Sequence, residues 1–150
     1  MYKILFVCHG NICRSPMAEF VFNDMAKKNG LENKVKASSA ATRTDELGNP
    51  VYPPARRILS EHGLDPSGKT ARLIKKSDYD EYDLLVCMDD ANARDMKRLF
   101  GRDDKTRLLM SFAGEERGVA DPWWTGDFEE TWRDVETGCK ALLERLKGEI

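Results

Sequence analysis

The 150 residues contain no hydrophobic run long enough to cross a membrane, no excess of one charge sign and no pair of cysteines spaced C-x-x-C. Each absence removes a class of protein. The apolar opening, Tyr2 to Cys8, is too short and too soon followed by polar residues for a secretory leader or a span, which predicts a cytoplasmic protein without a membrane role. With 24 Lys+Arg against 26 Asp+Glu the formal net charge is −2, so no global field draws in nucleic acid or an anionic bilayer. Any anion must be captured locally. Cys8, Cys13, Cys87 and Cys139 have no companion histidine at zinc spacing, so neither a structural metal nor a disulfide framework is expected. Repeats, low-complexity tracts and linkers are missing too, and residues 1–150 read as one domain able to bury its own core.

What is present alternates. Tyr2-Lys3-Ile4-Leu5-Phe6-Val7-Cys8 suits a central strand covered on both faces. Met17, Phe20, Val21 and Met25 then recur at helical spacing, with Ser15 as N-cap, Pro16 at the first helical position and Gly30 past the end. Residues 35–39 predict a short strand, 53–62 a helix with Ala55, Ile58, Leu59 and His62 on one face, and 82–88 a second buried strand. Asp89 or Asp90 caps a helix running to Phe100, and 106–110 is a weaker fourth strand. Residues 111–126 read as a long functional loop rich in Gly, Asp, Pro and Trp, ahead of a final helix whose stripe runs from Phe128 through Trp132, Val135 and Cys139 to Leu146. The pattern predicts an α/β fold: an open, doubly wound, mainly four-stranded parallel sheet with helices on both faces. Its ligand site lies beyond the carboxyl ends of the strands.

That is where Cys8-His9-Gly10-Asn11-Ile12-Cys13-Arg14-Ser15 falls, between the first strand and the first helix. A thiol attacks only as thiolate, and an ordinary one, with a pKa of ~8.5, is mostly protonated at neutral pH. A loop entering a helix N-terminus supplies N–H donors and the positive end of a dipole, and Arg14 adds a permanent charge that forks onto two phosphate oxygens. These features favour a thiolate and bind an oxyanion at once. Ser15 is placed to donate to the sulfur, and Asn11 to hold a left-handed turn.

The C-x5-R-S spacing, followed by Met17-Ala18-Glu19, Ser39-Ala40-Ala41-Thr42, Gly48-Asn49-Pro50, Cys87-Met88-Asp89 and Asp121-Pro122, resembles the low-molecular-weight protein tyrosine phosphatases along essentially the whole chain. The resemblance implies a cofactor-free and metal-free hydrolysis of phosphotyrosine in a protein or peptide, with inorganic phosphate as product and inhibitor. Cys8 would attack phosphorus, the amides from His9 to Arg14 and the Arg14 side chain would hold the equatorial oxygens, and Asp121 would protonate the leaving phenol. It further implies that Asn11 is pinned by Ser39 and by a histidine mapped onto His62, with Glu19 nearby, and that Cys13 traps an oxidised Cys8 as a disulfide. A monomer is the default.

Blander readings stand beside these. Asp121 alone is a common Asp-Pro turn, His62 alone a core histidine, and Cys13 a small buried hydrophobe. One of Trp123 and Trp124 is expected to plug the core and the other to wall the substrate cleft. The chain departs from the family where Asp45 stands at a position often aromatic, and where Trp123 and Trp124 replace phosphorylatable tyrosines; His9 and Asp45 therefore predict a different substrate preference. Phosphoarginine hydrolysis is disfavoured by Ile12 in place of threonine. Arsenate reduction is disfavoured because Cys87 and Cys139 are far apart, and a non-catalytic phosphotyrosine-binding module has no need of Asp121.

Overall fold

The computed structural model describes residues 1–150 throughout and contains four parallel strands in one sheet, ordered β2-β1-β3-β4. β1 (Tyr2–Cys8) lies in the interior of the sheet, paired with β2 (Val35–Ala41) on one side and β3 (Leu84–Cys87) on the other; β4 (Thr106–Leu108) is the outer neighbour of β3. The chain therefore leaves β1 first toward one edge and later returns to the opposite one. The crevice at that reversal opens where β1 ends, at Cys8.

Period-two alternation decides which side chain enters which core. Ile4, Phe6 and Cys8 join a large cluster beneath α1 (Arg14–Lys28), α2 (Pro53–Glu61) and a long C-terminal helix, whereas Leu5 and Val7 join a smaller one with Ile74, Tyr79, Leu85 and Met96. Helices thus cover both faces, as the continuous apolar strands require.

Several predicted boundaries move. Residues 82–83 stay outside β3 because Asp78–Glu81 form a short helix, α3, held by the buried Asp78 carboxylate, which accepts the Lys75 N–H at 2.9 Å and the Arg72 guanidinium at 3.0 Å. α4 (Asp90–Phe100) takes Asp89 as its cap, in a reciprocal pair with Asn92, and ends on the left-handed Gly101. The predicted 111–126 loop is partly ordered: a 3₁₀ turn spans Leu109–Ala113, and α5 (Pro122–Thr125) is capped by Asp121. The final helix, α6 (Phe128–Lys147), carries the predicted stripe and packs on α1. Ser15 does not cap α1. The helix starts two residues earlier, at Arg14 after Cys13, and the Ser15 hydroxyl is engaged elsewhere.

Candidate active site

Residues 9–13 arch from the end of β1 to the first turn of α1. The end of β1 and the arch are held by the surrounding chain: Thr42 N–H donates to Cys8 O at 3.0 Å, Arg43 N–H to His9 O at 3.1 Å and Tyr52 N–H to Ile12 O at 2.9 Å. The N–H groups of His9, Gly10, Ile12 and Cys13 donate to no backbone carbonyl, so the arch and the helix N-terminus together form an anion cradle. Asn11, at φ 59°, is the only non-glycine residue with positive φ, as its predicted left-handed turn requires.

The nucleophile candidate is Cys8, 3% exposed, with its sulfur 3.0 Å from Ser15 Oγ and 3.3 Å from the Asn11 N–H. The Asn11 amide is oriented by its surroundings. Its Oδ1 accepts the Arg72 N–H at 3.2 Å, which leaves Nδ2 to donate to Ser15 Oγ at 2.7 Å and Ser39 Oγ at 2.9 Å. Since Ser15 Oγ accepts from Asn11, its own proton is directed at Cys8. Ser39 in turn donates to Glu19 Oε1 at 2.6 Å.

Arg14 is almost fully buried, which opposes its charge; the Cys8 sulfur, Asp89 and Asp121 outweigh that cost and raise its pKa. Its Nη1 donates to Asp89 Oδ2 at 2.7 Å and to Val119 O at 2.9 Å, and its Nη2 lies 3.5 Å from Asp121 Oδ2. Two carboxylates and a carbonyl thus fix the guanidinium beside the cradle. Asp121 also caps α5, accepting the Trp123 N–H on Oδ1 and leaving Oδ2 toward Arg14.

Above the cradle is a cleft of about 260 Å³ lined by Cys8, Gly10, Ile12, Cys13, Arg14 and Asp121, with His9, Asp45, Glu46, Trp123 and Trp124 completing its wall. Asp45 accepts from His9 Nε2 at 2.7 Å, and this bond holds the carboxyl below the usual range. Burial pushes the other thiols upward: Cys13 and Cys139 well above an ordinary cysteine, Cys87 to about 12. All four cysteines are free.

Two expectations need correction. His62 does not reach Asn11; α2 ends there, and its exposed ring stacks on Trp132, with centroids 4.0 Å apart. Neither Trp123 nor Trp124 plugs the core. They are 52% and 82% exposed, Trp123 resting on Tyr52 at 5.0 Å, while Trp132 is the tryptophan that is buried. Sequence reasoning also passed over Asp89 as an arginine anchor, reading it only as a helix cap. It missed Lys69, which lies beside Glu19, donating to Ser39 O at 3.0 Å with its ammonium 3.6 Å from the Glu19 carboxylate. No group of three or more His, Cys, Asp or Glu side chains is arranged to hold a metal ion.

A family model described as "Low molecular weight phosphotyrosine protein phosphatase" matches residues 3–150. The Bacillus subtilis low molecular weight protein-tyrosine-phosphatase YfkJ is 38% identical, over 99% of this chain and 98% of that protein; its crystal structure superposes with a TM-score of 0.96, covering 99% of this chain and 96% of that one. The human low molecular weight phosphotyrosine protein phosphatase is 35% identical over 95% of this chain and 94% of its own. The low molecular weight protein tyrosine phosphatase SP-PTP from Streptococcus pyogenes, a crystal structure at 37% identity, gives a TM-score of 0.87 over 97% of this chain and 93% of that one.

Proposed function

The chain belongs to the low-molecular-weight phosphotyrosine protein phosphatase family, and from that premise we propose that it hydrolyses phosphotyrosine in proteins by two in-line displacements at phosphorus, without a metal. In the first, Cys8 Sγ attacks phosphorus while Asp121 gives its proton to the departing phenolate oxygen, leaving phosphocysteine and a free phenol. In the second, Asp121, now a carboxylate, takes a proton from the water that attacks phosphorus; the S–P bond breaks, inorganic phosphate leaves and the thiolate is restored. By donating to the sulfur, the Ser15 hydroxyl supports the thiolate that attacks in the first step and the thiolate that leaves in the second. Arg14 and the arch amides match the planar, trigonal array of three equatorial oxygens that the phosphoryl group adopts in the transition state.

The observation that carries this reading is the convergence on one cradle of the Cys8 sulfur, the doubly anchored Arg14 and the Asp121 carboxylate. Ile12 supplies an apolar wall that suits a phenyl ring better than a guanidinium, which favours phosphotyrosine over phosphoarginine. Inorganic phosphate, held by the same donors, is expected to inhibit competitively.

The test is turnover of p-nitrophenyl phosphate and of matched phosphotyrosine and phosphoarginine peptides, with and without EDTA. Turnover unaffected by EDTA, abolished in Cys8→Ser and lowered ~10²–10⁴-fold in kcat in Asp121→Asn is expected, with the phosphotyrosine peptide preferred. A wild-type protein that binds phosphate yet turns over none of these substrates overturns the proposal.

A further inference from the structure

Lys69 is a lysine whose long side chain is almost withdrawn from water, at 14% exposure, and the displacement chemistry gives it no task. Burial is the leading cause that lowers its pKa, reinforced by Arg72 and opposed by Glu19 and the Cys8 sulfur. A charge held at such a cost is more readily explained by what it organises than by packing.

The groups around it form one chain. Lys69 Nζ donates to Ser39 O at 3.0 Å and faces Glu19 Oε1 at 3.6 Å; Ser39 Oγ donates to that same carboxylate oxygen at 2.6 Å and accepts from Asn11 Nδ2 at 2.9 Å; Asn11 Nδ2 also donates to Ser15 Oγ at 2.7 Å; Ser15 Oγ lies 3.0 Å from Cys8 Sγ. A hydroxyl has one proton, so each serine here donates in one direction only. If Ser39 turned its proton toward Asn11, the amide would have to rotate, losing the Arg72 N–H from Oδ1, and Ser15 would no longer be bound to aim at the sulfur. What prevents this is an acceptor-only group at the far end of the chain.

We propose that Lys69 is a positioning residue of the active site: its ammonium, paired with Glu19, fixes the direction of the Glu19–Ser39–Asn11–Ser15 hydrogen-bond chain and thereby the donation of the Ser15 proton to Cys8. The inference rests on the reading of Cys8 as nucleophile. It assigns catalytic consequence to a residue in the stretch between α2 and α3 that touches neither substrate nor the reacting sulfur. The competing account is a structural clamp tying that stretch to β2, which would alter stability and leave the sulfur's reactivity alone.

The two accounts separate in Lys69→Met, Lys69→Arg and Glu19→Gln, each assayed for kcat and KM on p-nitrophenyl phosphate, for the rate of inactivation by iodoacetate, and for the urea midpoint. Positioning predicts that Lys69→Met lowers kcat and the inactivation rate together by about tenfold, with KM changed by less than about twofold. Lys69→Arg, which keeps the cation, should recover most of both losses. Glu19→Gln, whose amide can donate as well as accept, should reproduce the Met variant and serves if that variant folds poorly. A Lys69→Met protein that differs from wild type only in its urea midpoint, a Lys69→Arg protein as slow as Lys69→Met, or a Glu19→Gln protein with wild-type reactivity each overturns the proposal. Wild-type protein that iodoacetate fails to inactivate would instead condemn Cys8 as nucleophile.

Discussion

At the scale of single residues, the four thiols are separated by their surroundings rather than by access, since all are buried. Cys13, Cys87 and Cys139 are held protonated by desolvation, whereas Cys8 receives an N–H and a hydroxyl at its sulfur. Iodoacetate at neutral pH is therefore expected to modify Cys8 first, with one equivalent incorporated as activity disappears and phosphate slowing the reaction; mass mapping of the labelled peptide checks it, and equal labelling of Cys13 would refute it. The half-exposed His9–Asp45 pair makes the cleft rim polar. Asp45→Tyr should shift preference among phosphotyrosine peptides by several-fold in kcat/KM while sparing p-nitrophenyl phosphate, which has no flanking peptide residues to meet the rim; an unchanged ranking of peptides would argue against a specificity role. The meeting of Cys8, Asn11, Arg14 and Ser15 was legible in the sequence because eight consecutive residues form the arch and its left-handed turn. Lys69 and Asp89 were not, because their partners Glu19, Ser39 and Arg14 lie tens of residues away and no local pattern marks a side chain that works across the fold.

At the scale of elements, two glycines show how closely the parts of the site approach. A Cβ on Gly118 would lie 2.8 Å from Asp89 Cβ and 3.0 Å from Met88 O, at the point where the loop carrying Val119 runs against the end of β3. Asp89 and Val119 are two of the three anchors of Arg14, so Gly118→Ala should weaken competitive inhibition by phosphate about tenfold and lower the urea midpoint as well. In α6 a Cβ on Gly138 would meet Leu109 Cγ at 2.5 Å inside the large core cluster. Overpacking of ~1–3 kcal/mol exceeds the gain of about 1 kcal/mol from alanine's helix propensity, so Gly138→Ala should lower the urea midpoint, and Leu109→Ala in the same chain should cost less than the two changes summed. Element type was readable from periodicity, but ends were not. His62 continues the apolar face of α2 by spacing alone; it lies past the last helical turn, and only the arrival of α6 supplies the Trp132 ring on which it stacks. The tryptophans failed for the same reason, because α5 turns its two outward while α6 turns its one inward.

At the scale of the whole molecule, the cradle couples binding to folding. If phosphate binds the folded arch as proposed, with no such site on the unfolded chain, then at about a hundred times its Kd it should add ~2.7 kcal/mol of stability and raise Tm by several degrees. Arg14→Met should flatten that dependence, and a scan of Tm against phosphate in both proteins measures it directly. The doubly wound sheet itself followed from the strand and helix alternation, with β1 inside because it is apolar on both faces.

The interior place of β1 also sets an order of events in time. Cys8 belongs to the first strand made, yet the guanidinium six residues later meets Val119 and Asp121 across separations of 105 and 107 residues. At synthesis rates of ~5–20 residues per second, Cys8 leaves the ribosome about 5–20 s before Asp121. During that interval the thiol belongs to an unfinished chain, dependent on the reducing power of its surroundings rather than on its own fold.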